Sequence, residues 1–305
     1  MSYLNTKKKI KIVKIGFSAL LLSFSFLSWG QSKLDLLFIQ DPDIKGQKTF
    51  VQENELSTYT IFYQNFFVTD NKVDEAKLKR QIESKIPSET ATGFAVLDWE
   101  GEAIKVFQNQ DDQEKLDFYI NEFLKAIRLA KKLRPNVKWG YYHILYISYW
   151  GKISDFRKQN KKLEPIIREQ DFIAPSLYVY NTGLRYKISG HKYLRKKLLQ
   201  ALEMGDKYNL PVYPFVWHRT PKKTGHEFIP VEVFEHVVNL ISSTEYSGKT
   251  AKGIFWWHSE SYSYRNRKRF DVAKREYFNV KDLDTYQYDM FKEYYGSIEK
   301  YIHKN

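Results

Sequence analysis

The sequence predicts an α/β fold, a TIM-like (β/α) barrel in which parallel strands and helices alternate. Seven short apolar runs recur along the chain, and longer amphipathic segments separate them. Several runs are almost wholly apolar, as strands buried on both faces should be. One run ends in two acids, and acids at a strand tip favour a closed barrel over an open, doubly wound sheet. The seven runs cover residues 35–40, 59–64, 94–100, 139–144, 172–179, 211–218 and 253–259.

Between the apolar runs, helical periodicity predicts five amphipathic helices. In the second of them, Leu116, Phe123 and Ile127 recur on one face, as a helix packed on a sheet requires. Prolines stand at strand and helix boundaries, where a missing N–H does little harm. The polar, aromatic and basic stretch 261–274 predicts a loop or lid. The five helices cover residues 73–86, 111–133, 187–208, 231–244 and 283–302.

The first thirty residues predict a secretory signal peptide. Five lysines stand near the start, before an apolar stretch that ends at Trp29 and is short for a membrane span. Ser28 and Gly30 are small residues at plausible −3 and −1 positions of a cleavage site. We therefore expect residues 1–30 to be removed and residues 31–305 to form a single exported barrel domain, periplasmic or secreted, without stable membrane insertion. An uncleaved N-terminal anchor is the alternative.

The amino-acid composition limits the classes of ligand that the protein is expected to bind. The chain has no cysteine, which excludes a disulfide framework and a lipoprotein anchor, so the core alone must hold the fold. The net charge of +13 falls to +8 when the five lysines of the signal region are set aside. An exported chain without a nucleic-acid-binding motif fits an acidic glycan better than nucleic acid, although a solvated basic surface is the alternative. We expect neither a metal nor a cofactor, because no ligand spacing or nucleotide-binding motif occurs.

The third apolar run carries the strongest functional signal. In a strand, residues i and i+2 share a face, so Asp98 and Glu100 point the same way and Trp99 points the opposite way. Paired carboxylates are the usual equipment for cleaving glycosidic bonds. Two close carboxyl groups also resist joint ionisation, so one of them keeps a proton. The alternative is an ordinary strand end with solvated acids.

The order of the runs resembles that of the hyaluronidases, glycoside hydrolase family 56. The likeness is thin but extends over most of the mature chain, as in a divergent, bacterial-type member. The apolar strand that ends in Asp98 and Glu100 stands where the family has its catalytic strand. The pieces that match, in family order, are residues 59–63, 94–100, 133–142, 174–178, 210–216 and 253–257.

The resemblance implies a barrel of seven rather than eight strands and endo-acting cleavage of N-acetylhexosamine polymers such as hyaluronan or chondroitin. It implies that Glu100 is the general acid and base. The substrate's own acetamido group, steered by Asp98, would attack the anomeric carbon, so the retaining reaction would need no enzyme nucleophile.

The resemblance also implies which aromatic residues line the cleft. Tyr178 would donate a hydrogen bond to the acetamido oxygen, although Tyr180 shares its face and is an alternative. Trp256 and Trp257 point to opposite sides, and the family pattern favours Trp257 as the wall of the acetamido subsite. Two further tyrosines, Tyr63 and Tyr142, are expected in the cleft.

Polar residues near other strand ends extend this list. His218, and with it His143 and His258, could bind sugar hydroxyls or assist proton transfer. Several cations could contact substrate carboxylates, although exposed cations usually contact only water. These cations are Lys222, Lys223, Arg265, Arg267 and Arg269.

Some segments depart from the family pattern. Gly101 and Glu102 follow the acids where the family has another acid, an aromatic residue and Arg-Pro. After the sixth strand, where the family has another active-site tyrosine, this chain has residues 217–220, Trp-His-Arg-Thr. These changes put hyaluronan itself in doubt more than glycoside hydrolysis. Two alternatives therefore stay open, a catalytically silent glycan-binding barrel and a glycosidase that uses another carboxylate, such as Glu260, as a covalent nucleophile.

Overall fold

The computed structural model describes residues 33–41, 43–145, 153–183, 186–221 and 225–304, which belong to one compact unit. The predicted signal peptide, residues 1–30, lies outside the described residues, and so do Lys222 and Lys223.

A parallel sheet of six strands forms the centre of the fold, in the order β6-β5-β2-β1-β8-β7. A short antiparallel pair, β3 and β4, stands apart from it. Each of the six strands of the parallel sheet lies within a predicted apolar run or overlaps one. The strands are β1 (Asp35–Phe38), β2 (Ser57–Tyr63), β3 (Val68–Thr69), β4 (Lys72–Val73), β5 (Gly93–Asp98), β6 (Val137–Tyr141), β7 (Phe215–Val216) and β8 (Gly253–Trp256).

The fifth predicted run closes the sheet into a ring, although it forms no continuous ladder. The His143 amide donates to the Ala174 carbonyl at 2.9 Å on one side, and the Phe215 amide donates to the Pro175 carbonyl at 2.8 Å on the other. Parallel bridges pair residue 174 with Tyr142 and residue 176 with Phe215. Pro175 has no N–H to give, which explains why the pairing stays interrupted. The six strands of the sheet and this segment therefore form the closed barrel of seven strand segments that the sequence predicts.

Helices cover the outside of the ring. Three begin at an aspartate that caps the first turn; for example, Asp112 accepts from the Lys115 amide at 3.0 Å. All five predicted helices are present within a few residues of their expected bounds. The helices are α1 (Lys45–Glu53), α2 (Glu75–Lys85), α3 (Glu102–Asn109), α4 (Gln113–Leu133), α5 (Ile153–Lys162), α6 (Glu164–Glu169), α7 (His191–Tyr208), α8 (Val231–Ser243), α9 (Glu260–Arg265), α10 (Asp271–Glu276) and α11 (Leu283–Ile298).

The stretch 261–274, predicted as a loop or lid, instead contains most of α9 and α10. Its helical propensity is masked in the sequence because each helix has only six residues, too few for a periodic pattern to stand out. In the part of the chain that the structure describes, no helix combines the length and the apolar character needed to span a bilayer.

Strand alternation divides the apolar residues into two cores. Val96 and Phe255 belong to the core inside the ring, whereas Leu97 and Trp256 belong to the core between the sheet and the helices. Because successive side chains of a strand point to opposite faces, the inner core also fixes which residues meet at the mouth of the ring. The buried inner core consists of Leu37, Tyr59, Ile61, Val96, Phe172, Ala174, Tyr178, Tyr213, Phe215, Trp217 and Phe255.

Candidate active site

The carboxyl end of β5 presents the two predicted acids. Trp99 is buried in the outer core, where its ring stacks on Phe123 with the centroids 4.7 Å apart and the planes 9° apart. Outward anchoring of Trp99 turns its neighbours Asp98 and Glu100 toward the ring interior. Gly101 then adopts φ +70°, a backbone conformation that favours glycine, at the turn between β5 and α3. As a result, Glu100 lies exposed at the mouth, one step above Asp98.

Asp98 lies among four tyrosines. Tyr63 is its direct neighbour on β2 in the sheet register, and Tyr142 follows β6 on the other side, where its amide donates to the Leu97 carbonyl at 3.0 Å. Burial raises the pKa of all four tyrosine hydroxyls, and the charge of Asp98 adds to each increase. The four are Tyr59, Tyr63, Tyr142 and Tyr178.

The environment of Asp98 favours its neutral form. Burial, and then the nearby charge of Glu100, raise the pKa of Asp98 well above its usual range. Its Oδ1 atom is buried and has no hydrogen-bond partner among the described residues. The sequence predicts that one carboxyl of the pair keeps a proton, and the raised pKa makes Asp98 the better candidate for it.

Replacement of Asp98 by Asn is predicted to remove a pH dependence of stability. The folded-state pKa of Asp98 lies above its unfolded value, so the wild type loses stability as pH rises from about 4 through the folded pKa. Asp98→Asn should therefore gain stability relative to the wild type over that range. Denaturant unfolding from acid to neutral pH measures the difference. The exposed Asp289→Asn on α11 should follow the wild-type curve, and a parallel curve for Asp98→Asn would contradict the prediction.

Aromatic rings form a wall beside the acids. The Trp257 indole donates from Nε1 to the Tyr63 hydroxyl at 3.0 Å. Tyr178 stacks against Trp257 on one side and against Tyr142 on the other, with centroids 6.0 Å apart in both pairs. Trp256 is buried in the outer core, so Trp257 is the inward ring of the pair, as the resemblance implies.

The two candidate tyrosines at the end of the fifth run, Tyr178 and the residue just after the run, Tyr180, differ in exposure. Tyr178 is buried, and the charge of Asp98 contributes to its raised pKa. Tyr180 is 37% exposed, and its pKa is raised by burial and then by the charge of Glu100. The charge of Asp98 thus acts on the Tyr178 hydroxyl, and the charge of Glu100 acts on the Tyr180 hydroxyl.

Trp217 is a further residue of the wall, beyond the predicted site. Its ring centroid lies 4.6 Å from that of Trp257 and 5.3 Å from that of Tyr178. It is 6% exposed, and its buried Nε1 has no hydrogen-bond partner in the described ranges. Alternation along the sixth run, where Tyr213 and Phe215 also face inward, is the sequence signal that identifies it.

The prediction that His218 binds sugar is wrong. His218 is fully buried on the outer side of the ring, where its Nδ1 accepts from the Trp256 indole at 3.0 Å. Its Nε2 lies 2.9 Å from a carboxylate oxygen of Glu260. His218 follows the inward-facing Trp217, so alternation turns it away from the cleft. His258 is likewise buried, with Nε2 2.8 Å from the Ile39 carbonyl, and burial lowers its pKa to about 4.

Glu260 does not fit the role of covalent nucleophile. It is fully buried, and Arg219 binds both of its carboxylate oxygens at 2.7 Å. The Tyr277 hydroxyl donates to it at 2.6 Å. Burial alone would raise the pKa of Glu260, but the charge of Arg219 and the hydrogen bonds from His218 and Arg219 hold it well below its usual range. Its lone pairs are therefore committed to the fold.

Of the cations that were expected to contact substrate carboxylates, two contact other groups of the protein and one is exposed. Arg265 lies 3.3 Å from Asp41, and the Arg267 guanidinium lies 3.9 Å from the centre of the Tyr264 ring. Arg269 is exposed. Within the described residues no cluster of three or more His, Asp or Glu side chains could hold a metal ion.

A ring of parallel strands that presents two acids and an aromatic wall at the carboxyl end of its strands defines the class, a (β/α) barrel with a candidate site at that end. Comparison of structures then gives the particular fold. Bee venom hyaluronidase matches with a TM-score of 0.58 and 15% identity, over 83% of this chain and 99% of that one. Its complex with a hyaluronic acid tetramer matches with a TM-score of 0.54. The chain therefore has the hyaluronidase fold, as predicted.

Curated proteins that the sequence resembles are also hyaluronidases. The enzyme of Crotalus adamanteus is 25% identical over 233 residues, which cover 61% of this chain and 50% of that protein. Hyaluronidase-1 of Bitis arietans is 25% identical over 272 residues, 68% of this chain and 58% of that protein. Conohyal-Cn1 of Conus consors is 24% identical over 188 residues, 51% and 41% respectively. The chain thus spans about half the length of these relatives. No protein-family model matches it.

Proposed function

We propose that the protein is an exported glycoside hydrolase that cleaves within N-acetylhexosamine-containing glycans such as hyaluronan or chondroitin. One observation carries this proposal: the end of β5 brings a half-buried Asp98, whose Oδ1 atom is fully buried, and the exposed Glu100 to the same aromatic-walled mouth. A barrel that only binds a glycan would not need two neighbouring acids, because each carboxylate charge makes ionisation of the other acid less favourable. Export rests on the predicted signal peptide.

Glu100 is proposed as the general acid and base. Its exposed position allows it to reach the leaving glycosidic oxygen and, later, the attacking water. Asp98 lies deeper and is proposed to accept the acetamido N–H, which favours its ionised form. A bound sugar would also shield Glu100 from water, which raises the pKa of a carboxyl. Substrate binding would therefore move the shared proton from Asp98 to Glu100, where the reaction needs it.

The acetamido group of the substrate is the proposed nucleophile. Its carbonyl oxygen would attack the anomeric carbon, the bond to the leaving oxygen would break, and water would then reopen the cyclic intermediate with retention. Tyr178 is proposed to orient that carbonyl, and Trp257 to pack against the methyl group. Glu260, the carboxylate considered for a covalent route, is buried and bound by Arg219, which supports the substrate-assisted route.

A glycan panel tests this function. Hyaluronan, chondroitin and peptidoglycan are incubated with the protein, and new reducing ends are measured together with ultraviolet absorbance from unsaturated uronate. We expect new reducing ends from at least one polymer without that absorbance, and strong inhibition by a thiazoline analogue of the cyclised acetamido group. A rise in absorbance would indicate a lyase. Glycan binding with no product would favour the silent barrel.

Replacement of Trp217 by Phe is predicted to weaken substrate binding and to cost the fold less than the loss of a hydrogen-bonded buried indole does. The change keeps most of the ring but removes an indole N–H that is buried and has no hydrogen-bond partner in the part of the chain described. If a bound glycan accepts from this N–H, KM should rise by about tenfold, the worth of one hydrogen bond. Kinetics and thermal unfolding are measured together.

Trp139→Phe is the matched control for this prediction. The Trp139 indole is buried in the outer core and donates from Nε1 to the Arg134 carbonyl at 3.2 Å. This variant should lose stability and leave KM unchanged. An unchanged KM in Trp217→Phe would remove Trp217 from the binding site.

A further inference from the structure

The helices that follow β8 carry a surface that the proposed chemistry does not use. Three large hydrophobic side chains are exposed in the described part of the chain, and two of them, Tyr262 (57%) and Phe278 (79%), fall in residues 260–281. The third is Tyr180 in the cleft. We call residues 260–281 the platform. Exposed aromatic side chains on one surface can mark a binding site, so the charges around these two decide what the surface could bind.

Buried contacts fix the inner face of the platform. Arg219 binds Glu260 of α9 through two nitrogens at 2.7 Å, and it also binds Glu276 of α10, in one contact at 2.7 Å. Tyr277 donates to Glu260, and Tyr286 of α11 donates to Glu276 at 3.0 Å. The two short helices are thus held together through one arginine from the end of the sixth run.

This arrangement segregates charge. The two glutamates of the platform are bound by Arg219, whereas its cations remain on the outer face. That face contains one exposed acid, Asp271, until Asp282 opens α11. Arg275 makes a weak ion pair, since it lies 3.9 Å from an exposed oxygen of Glu227. The exposed cations are Arg265, Lys268, Arg269, Lys274, Arg275 and Lys281.

The first helix of the platform, α9, lies beside the mouth of the ring. α9 begins at Glu260, shortly after the cleft residue Trp257, and Arg265 at its end contacts Asp41, which follows β1. On α10, a shallow concavity of about 560 Å³ is lined by Asp271, Lys274, Arg275 and Phe278. A ring beside two cations and one acid can stack on a sugar face, bind carboxylates or sulfates, and accept a hydroxyl.

We infer that the platform binds an acidic glycan chain that extends beyond the catalytic cleft, with Phe278 under a sugar ring and Lys274 and Arg275 on its anionic groups. The choice of occupant rests on the proposed function. A lipid surface fits less well, since Asp271 stands in the same concavity and the six-residue helices offer no continuous apolar face.

The test compares two double variants in a Glu100→Gln background, which prevents cleavage. Lys274→Ser/Arg275→Ser removes two platform cations, and the control Lys79→Ser/Lys115→Ser removes two exposed cations on α2 and α4. Binding of long hyaluronan and long chondroitin sulfate is titrated at several salt concentrations. We expect the platform variant to lose about tenfold in affinity for the chain that binds, with a weaker salt dependence, and the control to bind as the parent does.

A second comparison separates the platform from the cleft. Phe278→Ser should also weaken long-chain binding, whereas hydrolysis of short oligosaccharides should remain unchanged in all platform variants with Glu100 intact. Equal long-chain affinity in the platform variant and the control overturns the inference, as does the absence of binding to both polymers. Binding of the platform variant to anionic vesicles is measured as well. If this variant loses binding to the vesicles and keeps its affinity for both polymers, the platform binds lipid instead.

Failure of the proposed function gives a different result. If the wild type yields no reducing ends but binds the polymer through Lys274 and Arg275, the catalytic proposal fails and the platform stands. If the wild type cleaves the polymer but the platform variant keeps full affinity, the platform inference alone fails.

Discussion

Replacement of Glu100 by Gln is expected to abolish hydrolysis while leaving glycan binding nearly intact. The amide has the size and hydrogen-bonding reach of the carboxyl group but cannot give a proton to the leaving oxygen. General acid–base catalysis contributes about 10²- to 10⁴-fold, so kcat should fall by about that factor. Because the side chain is exposed at the strand tip, the fold should not suffer. Release of reducing ends measures kcat, and calorimetric titration measures binding.

Glu102→Gln is the matched control for Glu100→Gln. Glu102 stands two residues later, in the first turn of α3, and its exposed side chain lies 3.5 Å from Lys105. Since this contact is an exposed ion pair, the control should keep full activity and nearly full stability. Full activity in Glu100→Gln, or an equal loss in Glu102→Gln, would remove Glu100 from the proposed role. A large loss of binding in Glu100→Gln would indicate that Glu100 contributes to substrate binding rather than to proton transfer.

Alternation of side chains made the inner wall predictable from the sequence. The rule that i and i+2 share a face places Asp98 and Glu100 together and sets Trp257 apart from Trp256, and the structure has the second of these as predicted. The same rule places His218 opposite Trp217, so the error over His218 arose from position at a strand end alone. Position at the end of a strand predicts that a residue lies near the mouth of the ring. Only the alternation of side chains along the strand predicts whether it faces the inside or the outside of the ring.

Long-range polar contacts were not predictable. Arg219 and Glu260 are 41 residues apart, and Arg219 and Glu276 are 57 apart, with no local pattern to connect them. Glu260 therefore looked available as a nucleophile, although its oxygens are committed to Arg219. The interrupted fifth run is a similar case, since Pro175 suits a strand edge while the ring it closes depends on partners from distant runs.

The buried arginine connects the fold to the two proposed sites. It fixes α9, which starts just after Trp257 in the cleft, and α10, which presents the platform. A charged cluster at this point costs desolvation but specifies one arrangement of two short helices that have little apolar surface of their own. We therefore expect Arg219 to matter for stability more than any exposed cation of the platform.

Replacement of Arg219 by Met is predicted to destabilise the protein strongly. The change leaves Glu260 buried without its cation and Glu276 without one of its partners, and breaking a buried pair costs about 3–5 kcal/mol. For a domain of this size, such a loss lowers Tm by about 10 °C. Arg265→Met is the matched control, because it breaks the exposed pair with Asp41 and should cost no more than about 1 kcal/mol.

The pH dependence of this loss distinguishes a broken ion pair from lost packing. The folded-state pKa of Glu260 lies below its unfolded value, so its contribution is present above about pH 5 and disappears as pH falls through the folded pKa. In Arg219→Met the largest cause of that low pKa, the charge of Arg219, is gone. The difference in unfolding free energy between the wild type and Arg219→Met should therefore be largest near neutral pH and shrink in acid. A difference that stays constant with pH, or a Tm no lower than that of Arg265→Met, would show that Glu260 does not depend on this arginine.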